Sequence, residues 1–135
     1  MKGQVSLELI FAAMVAILAA SSFSLVGTEI TQVQRESGIR QQLNAIGTGL
    51  ASSVSKSGLL DDSDSAIISI DIPMISVIGM SAKQDCAIAI GGGLGAGVMT
   101  LTYDTVTVTK SFVVPAGMTV PNSANCGGTL TITRP

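Results

Sequence analysis

The chain has 135 residues, no His, a formal net charge of −2 and only 12% charged residues, about half the usual globular share, with a mean hydropathy of +0.58. It therefore has no basic field to draw in nucleic acid, and its one Tyr and three Phe make no platform on which bases could stack. Without His there is no ordinary neutral-pH base, and no Ser or Cys has an identifiable activating partner, so the chain does not read as an enzyme, and no catalytic residue and no cofactor is assigned.

Residues 9–28 carry no charged side chain. About 20 helical residues cover roughly 30 Å, long enough to span a hydrocarbon core as a transmembrane helix. Lys2 is the only basic residue ahead of the run, which places the start of the chain at the cytoplasmic face and its bulk outside. Glu8 stands at the mouth of the run, where a lone acid beside apolar surface is costly unless it meets a partner. Leu7, Phe11, Met14, Leu18 and Leu25 follow helical four-three spacing, while Ala12, Ala16, Ala20 and Ser24 repeat every fourth residue as a separate small-residue stripe. Large side chains on one face and small ones on another let helices approach closely and interlock.

From Ile30 the pattern turns amphipathic, through Val33, Ile39, Leu43, Ile46, Leu50 and Val54, interleaved with Gln and Arg. With Lys56 in the last turn and Gly58 just past it, the spacing predicts one helix over residues 4–57, its second half partly buried. Gly27, Gly38, Gly47 and Gly49 each weaken an isolated helix by up to about 1 kcal/mol relative to Ala, so this one needs neighbours. Residues 58–65 read as a linker. Its carboxylates Asp61, Asp62 and Asp64 suit a hard cation, but the spacing and terminal Glu of a calcium-binding loop are missing, so no metal is assigned.

Residues 66–135 read as a small antiparallel β-sheet or β-sandwich domain, because the period changes from helical to alternating. Ile68, Ile70 and Ile72 alternate with polar residues until Pro73 interrupts, and residues 74–80 and 87–90 read as further strands. Residues 98–103, 105–114 and 129–133 set a Thr face outward against an aliphatic face inward. Asp104 marks a hairpin, and Pro115-Ala116-Gly117, Pro121-Asn122 and Cys126-Gly127-Gly128 mark later turns. The glycines of residues 91–97 lack the Lys and register of a phosphate loop and read as a mobile loop between strands. Cys86 and Cys126 lie outside any Cys-x-x-Cys pair, with no His to complete a zinc site. They read as a disulfide formed in an oxidising, extracytoplasmic compartment, the other reading being two buried free thiols.

Lys2-Gly3-Gln4-Val5-Ser6-Leu7-Glu8, followed directly by the apolar run, resembles the class III signal peptides of the type IV filament superfamily, closest to archaeal type IV pilins. The resemblance covers about the first 28 residues and departs from the archaeal pattern at Ala12, where the pattern has Leu. It implies a leader of residues 1–3, cut between Gly3 and Gln4 by a membrane-embedded prepilin peptidase on the cytoplasmic side. It also implies that Glu8 compensates the new N-terminal amine of Gln4 on a neighbouring subunit. The implied protein is a pilin-like α+β subunit: a membrane-inserted precursor, then a homopolymer built through Gln4, Glu8, Phe11, Ala12, Ala16 and Ala20 with the help of a membrane assembly platform. Its place would be the cell surface, in an extracellular filament for adhesion, motility or uptake. A minor pseudopilin or archaellin-like component is a close variant. Two other classes use the same run: a single-pass membrane-anchored binding module, and a secreted domain cut near Ala19, Ala20 or Ser21.

Overall fold

The structure is a computed structural model that describes residues 2–59, 65–93 and 95–135, without the side chains of residues 2–9, 23–26 and 28. Among the described residues it is α+β: one helix, α1 (Lys2–Ser57), precedes six strands, all paired antiparallel. The helix begins at Lys2, ahead of the predicted Gln4, and ends at Ser57. The chain forms two compact units, Met1–Arg35 and Glu36–Pro135. The division falls inside α1, and the second unit takes in the helix from Glu36 together with all the strands.

In the second unit, β1 (Ala66–Asp71) pairs with β6 (Thr129–Arg134) as a two-stranded sheet. The other sheet holds β2 (Ala87–Gly93), β3 (Ala96–Tyr103), β4 (Val106–Phe112) and β5 (Ser123–Asn125) in the order β4-β3-β2-β5. Alternation decides which side chains turn inward. Met99, Leu101, Val106, Val108, Leu130 and Ile132 are buried, while Thr107, Thr109, Thr129, Thr131 and Thr133 face out. The same core takes Ile39, Leu43, Ile46, Leu50 and Val54, spaced by three or four residues along one stripe of α1. Gly47 is what lets the helix come this close. A Cβ there would stand 2.9 Å from Lys110 Cγ and 3.1 Å from Leu101 Cδ1, inside ordinary contact distance. The Gln42 carboxamide fixes a second point, donating from Nε2 to Ser76 O at 2.7 Å and accepting the Ser76 N–H at Oε1, also at 2.7 Å. Each such bond contributes about 1 kcal/mol net.

Two sequence expectations are corrected. Residues 74–80 form no strand: only Ile75 pairs, with Gln84, and the segment turns at Ile78 and Gly79, where Gly79 has φ +87°. Its alternation of buried Ile75 and Val77 reflects packing on the core without a neighbouring strand. The glycine run is not a loop but a hairpin, with Gly91, Gly92 and Gly93 of β2 paired to Val98, Gly97 and Ala96 of β3. Glycine is required here by packing, since a Cβ on Gly97 would lie 2.4 Å from Phe112 Cζ. Gly97→Ala is expected to destabilise the second unit by about 1–3 kcal/mol through this overpacking. At Gly91 a Cβ meets open space, so Gly91→Ala is expected to shift thermal unfolding far less. Equal shifts in the two variants would remove the Phe112 contact as the cause.

The next hairpin turns at Asp104, whose φ of 53° suits a short polar side chain. Cys86 and Cys126 form a disulfide, with Cα atoms 4.8 Å apart, so the free-thiol reading falls. Both are buried, and the Cys126 N–H donates to Cys86 O at 2.9 Å. Asp61, Asp62 and Asp64 lie outside the described residues. Among the described residues no group of His, Cys, Asp and Glu is placed to hold a metal ion.

Candidate assembly surface

The expected transmembrane span is not recovered: among the described residues no helix is long and apolar enough to cross a membrane. Of residues 9–28, the side chains of 9, 23–26 and 28 lie outside the described set. What the described part does present is a helix surface sorted by size. Ile10, Phe11, Met14, Val15, Ile17 and Leu18 are all exposed, with Phe11 at 63% and Leu18 at 66%. At 100° per residue these six occupy an arc of about 160°. Ala12, Ala16 and Ala20 fall on the opposite side, also exposed.

The described hydroxyl groups that next follow this arc along α1 are bonded within the helix. Ser21 Oγ donates to Ile17 O at 2.9 Å and Leu18 O at 3.0 Å, Ser22 Oγ to Leu18 O at 2.8 Å, and Thr31 Oγ1 to Gly27 O. A hydroxyl that already has a backbone acceptor leaves no donor unpaired when water is removed, so these positions tolerate an apolar surrounding. The helix surface is thus suited in shape and in polarity to burial against other helices.

Of the residues assigned from sequence, Phe11, Ala12, Ala16 and Ala20 lie on this surface. Gly3, Gln4 and Glu8 belong to α1, but their side chains lie outside the described residues, and so does any pairing of Glu8. Ile10, Val15 and Ile17 complete the large-residue arc and were missed by a four-three count started at Leu7; a full helical wheel finds them. Ile30 and Val33, expected to open the partly buried face, are exposed, and burial begins only at Ile39.

Two cavities of the second unit are lined by described residues. One of about 280 Å³ is lined by Ile90, Phe112, Val114, Met118, Val120 and the backbone of the glycine hairpin, with no titratable side chain. The other, about 350 Å³, lies between α1 and β1, and its one carboxylate, Asp71, accepts a bond from Thr129 Oγ1 at 3.0 Å. Neither brings a nucleophile to a base. No family model, no curated protein and no solved structure matches the chain.

Proposed function

We propose that the chain is the structural subunit of an extracellular type IV pilus-like filament, held in the membrane as a precursor, processed before Gln4 and polymerised through its N-terminal helix. One observation carries this reading: α1 runs unbroken from Lys2 to Ser57, with large apolar side chains exposed at residues 10–18 and apolar side chains buried only from Ile39 onward. An apolar helix surface of this size is unstable in water and needs either lipid or other helices. The same residues serve both, so the membrane is a waiting position and copies of the chain are the final surroundings. The activity is assembly.

Electron microscopy of sheared cell-surface material, joined to mass spectrometry of the subunit's N-terminus, tests the reading. Long filaments whose subunit starts at Gln4 are expected. A start beyond residue 20 indicates a secreted domain instead, and an unprocessed chain in the membrane without filaments indicates an anchored binding module. Glu8→Ala separates the anchor from the pilin further. Only a polymer needs the acid to compensate a neighbour's amine in a desolvated core, so this variant is expected to insert normally and to lose most of its filament yield. Full yield from Glu8→Ala removes that residue from the mechanism.

A further inference from the structure

We propose that the Cys86–Cys126 bond is a clasp that keeps tension off the four-stranded sheet when the second unit is pulled between residue 59 and the C-terminus. The placement of the bond makes the case. Cys86 immediately precedes β2 and Cys126 immediately follows β5, so the 40-residue separation encloses every strand of that sheet and neither strand of the other. Once the Thr119–Thr133 bridge has opened, load entering through β1 and leaving through β6 crosses the sulfur atoms and bypasses residues 87–125.

What remains in the load path is the β1–β6 pair together with the Thr119–Thr133 bridge, whose two bonds of 2.8 and 3.1 Å tie β6 to the enclosed segment outside its strands, and the register of the pair sets how it yields. Ala66 pairs with Arg134 at the end where the chain enters and leaves, and Asp71 pairs with Thr129 at the end nearest the clasp. Pulling therefore opens the ladder one pair at a time from Ala66 inward, whereas a sheared ladder would load all its bonds together. Beyond the ladder, the bonds from Ile72 N–H to Gly128 O at 2.9 Å and from Gly127 N–H to Ile72 O at 2.8 Å are next in line. Behind them stands the buried disulfide. The device is a weak zipper ahead of a covalent stop: the unit lengthens at low load by a fixed amount, and β2, β3, β4 and β5 stay paired. It does not depend on the filament reading.

Optical-tweezer pulling of the full chain in detergent tests this, with handles on azide-bearing residues placed at Leu59, which is 85% exposed, and at Pro135. In the oxidised chain, a low-force step of roughly 100 Å is expected as residues 66–86 and 126–134 extend, followed by a plateau with no further release. Adding dithiothreitol at the plateau is expected to release roughly another 140 Å, the hidden length of the enclosed segment. The Cys86→Ser/Cys126→Ser chain, if folded, is expected to show no plateau. If that variant does not fold, the wild type with and without dithiothreitol decides. A single cooperative rupture of the oxidised chain, or a first step that rises only at the force that unfolds the reduced chain, overturns the proposal.

Discussion

Leu18→Glu is expected to abolish filament formation while leaving the thermal unfolding of the second unit within a few degrees of wild type. Leu18 sits 66% exposed on the large-residue arc and contributes nothing to the core of the second unit. A carboxylate there meets apolar surroundings in both of its proposed environments. At the centre of a membrane helix an acid costs about 3 kcal/mol on insertion scales, and in a packed helix bundle an unpaired buried charge costs at least as much. Every subunit bears that cost, so a modest penalty per contact becomes a large one for a polymer. Leu18→Met, similar in volume and flexible, is expected to keep filaments. Filament counts by electron microscopy, read beside a melting curve of the detergent-solubilised chain, separate lost assembly from lost folding. Normal filaments from Leu18→Glu would mean that this side of the helix is not an interface.

The parts of this structure legible from sequence are those set by periodicity. Ile39, Leu43, Ile46, Leu50 and Val54 repeat at helical spacing and are buried, and Val106, Val108, Leu130 and Ile132 alternate and are buried. The turn at Asp104 was legible for a local reason, since few non-glycine residues accept a left-handed conformation and Asp is one of them. What sequence could not give depends on contacts distant along the chain. Gly97 looks like a loop residue until Phe112 is seen to occupy the space where its side chain would be. Ile75 and Val77 alternate like a strand, yet among the described residues the only ladder contact of this segment is the bridge from Ile75 to Gln84. Exposed Ile30 and Val33 carry the same lesson: hydropathy marks an apolar stripe but does not say where along a helix its cover begins.

Leu43→Ala is expected to be among the most damaging single truncations of the second unit, lowering its stability by about 3–4 kcal/mol. Leu43 is 0% exposed in the middle of the buried stripe of α1, one helical turn from Gly47, where the backbone lies close to Lys110 and Leu101. The cavity left behind cannot be filled by moving the helix inward, because Gly47 already allows the closest approach there. The loss therefore sits in the upper part of the range for buried Leu truncations. For a unit of about 100 residues this lowers the melting temperature by roughly 15 °C or more. Phe11→Ala removes more side-chain volume from the same helix, but Phe11 is exposed in the first unit, and its truncation is expected to change stability by no more than about 0.5 kcal/mol. The comparison tests whether one continuous helix does two separate jobs. If Phe11→Ala lowered the melting temperature as much as Leu43→Ala, the exposed surface would already be covered in the isolated chain and could not be held in reserve for other copies.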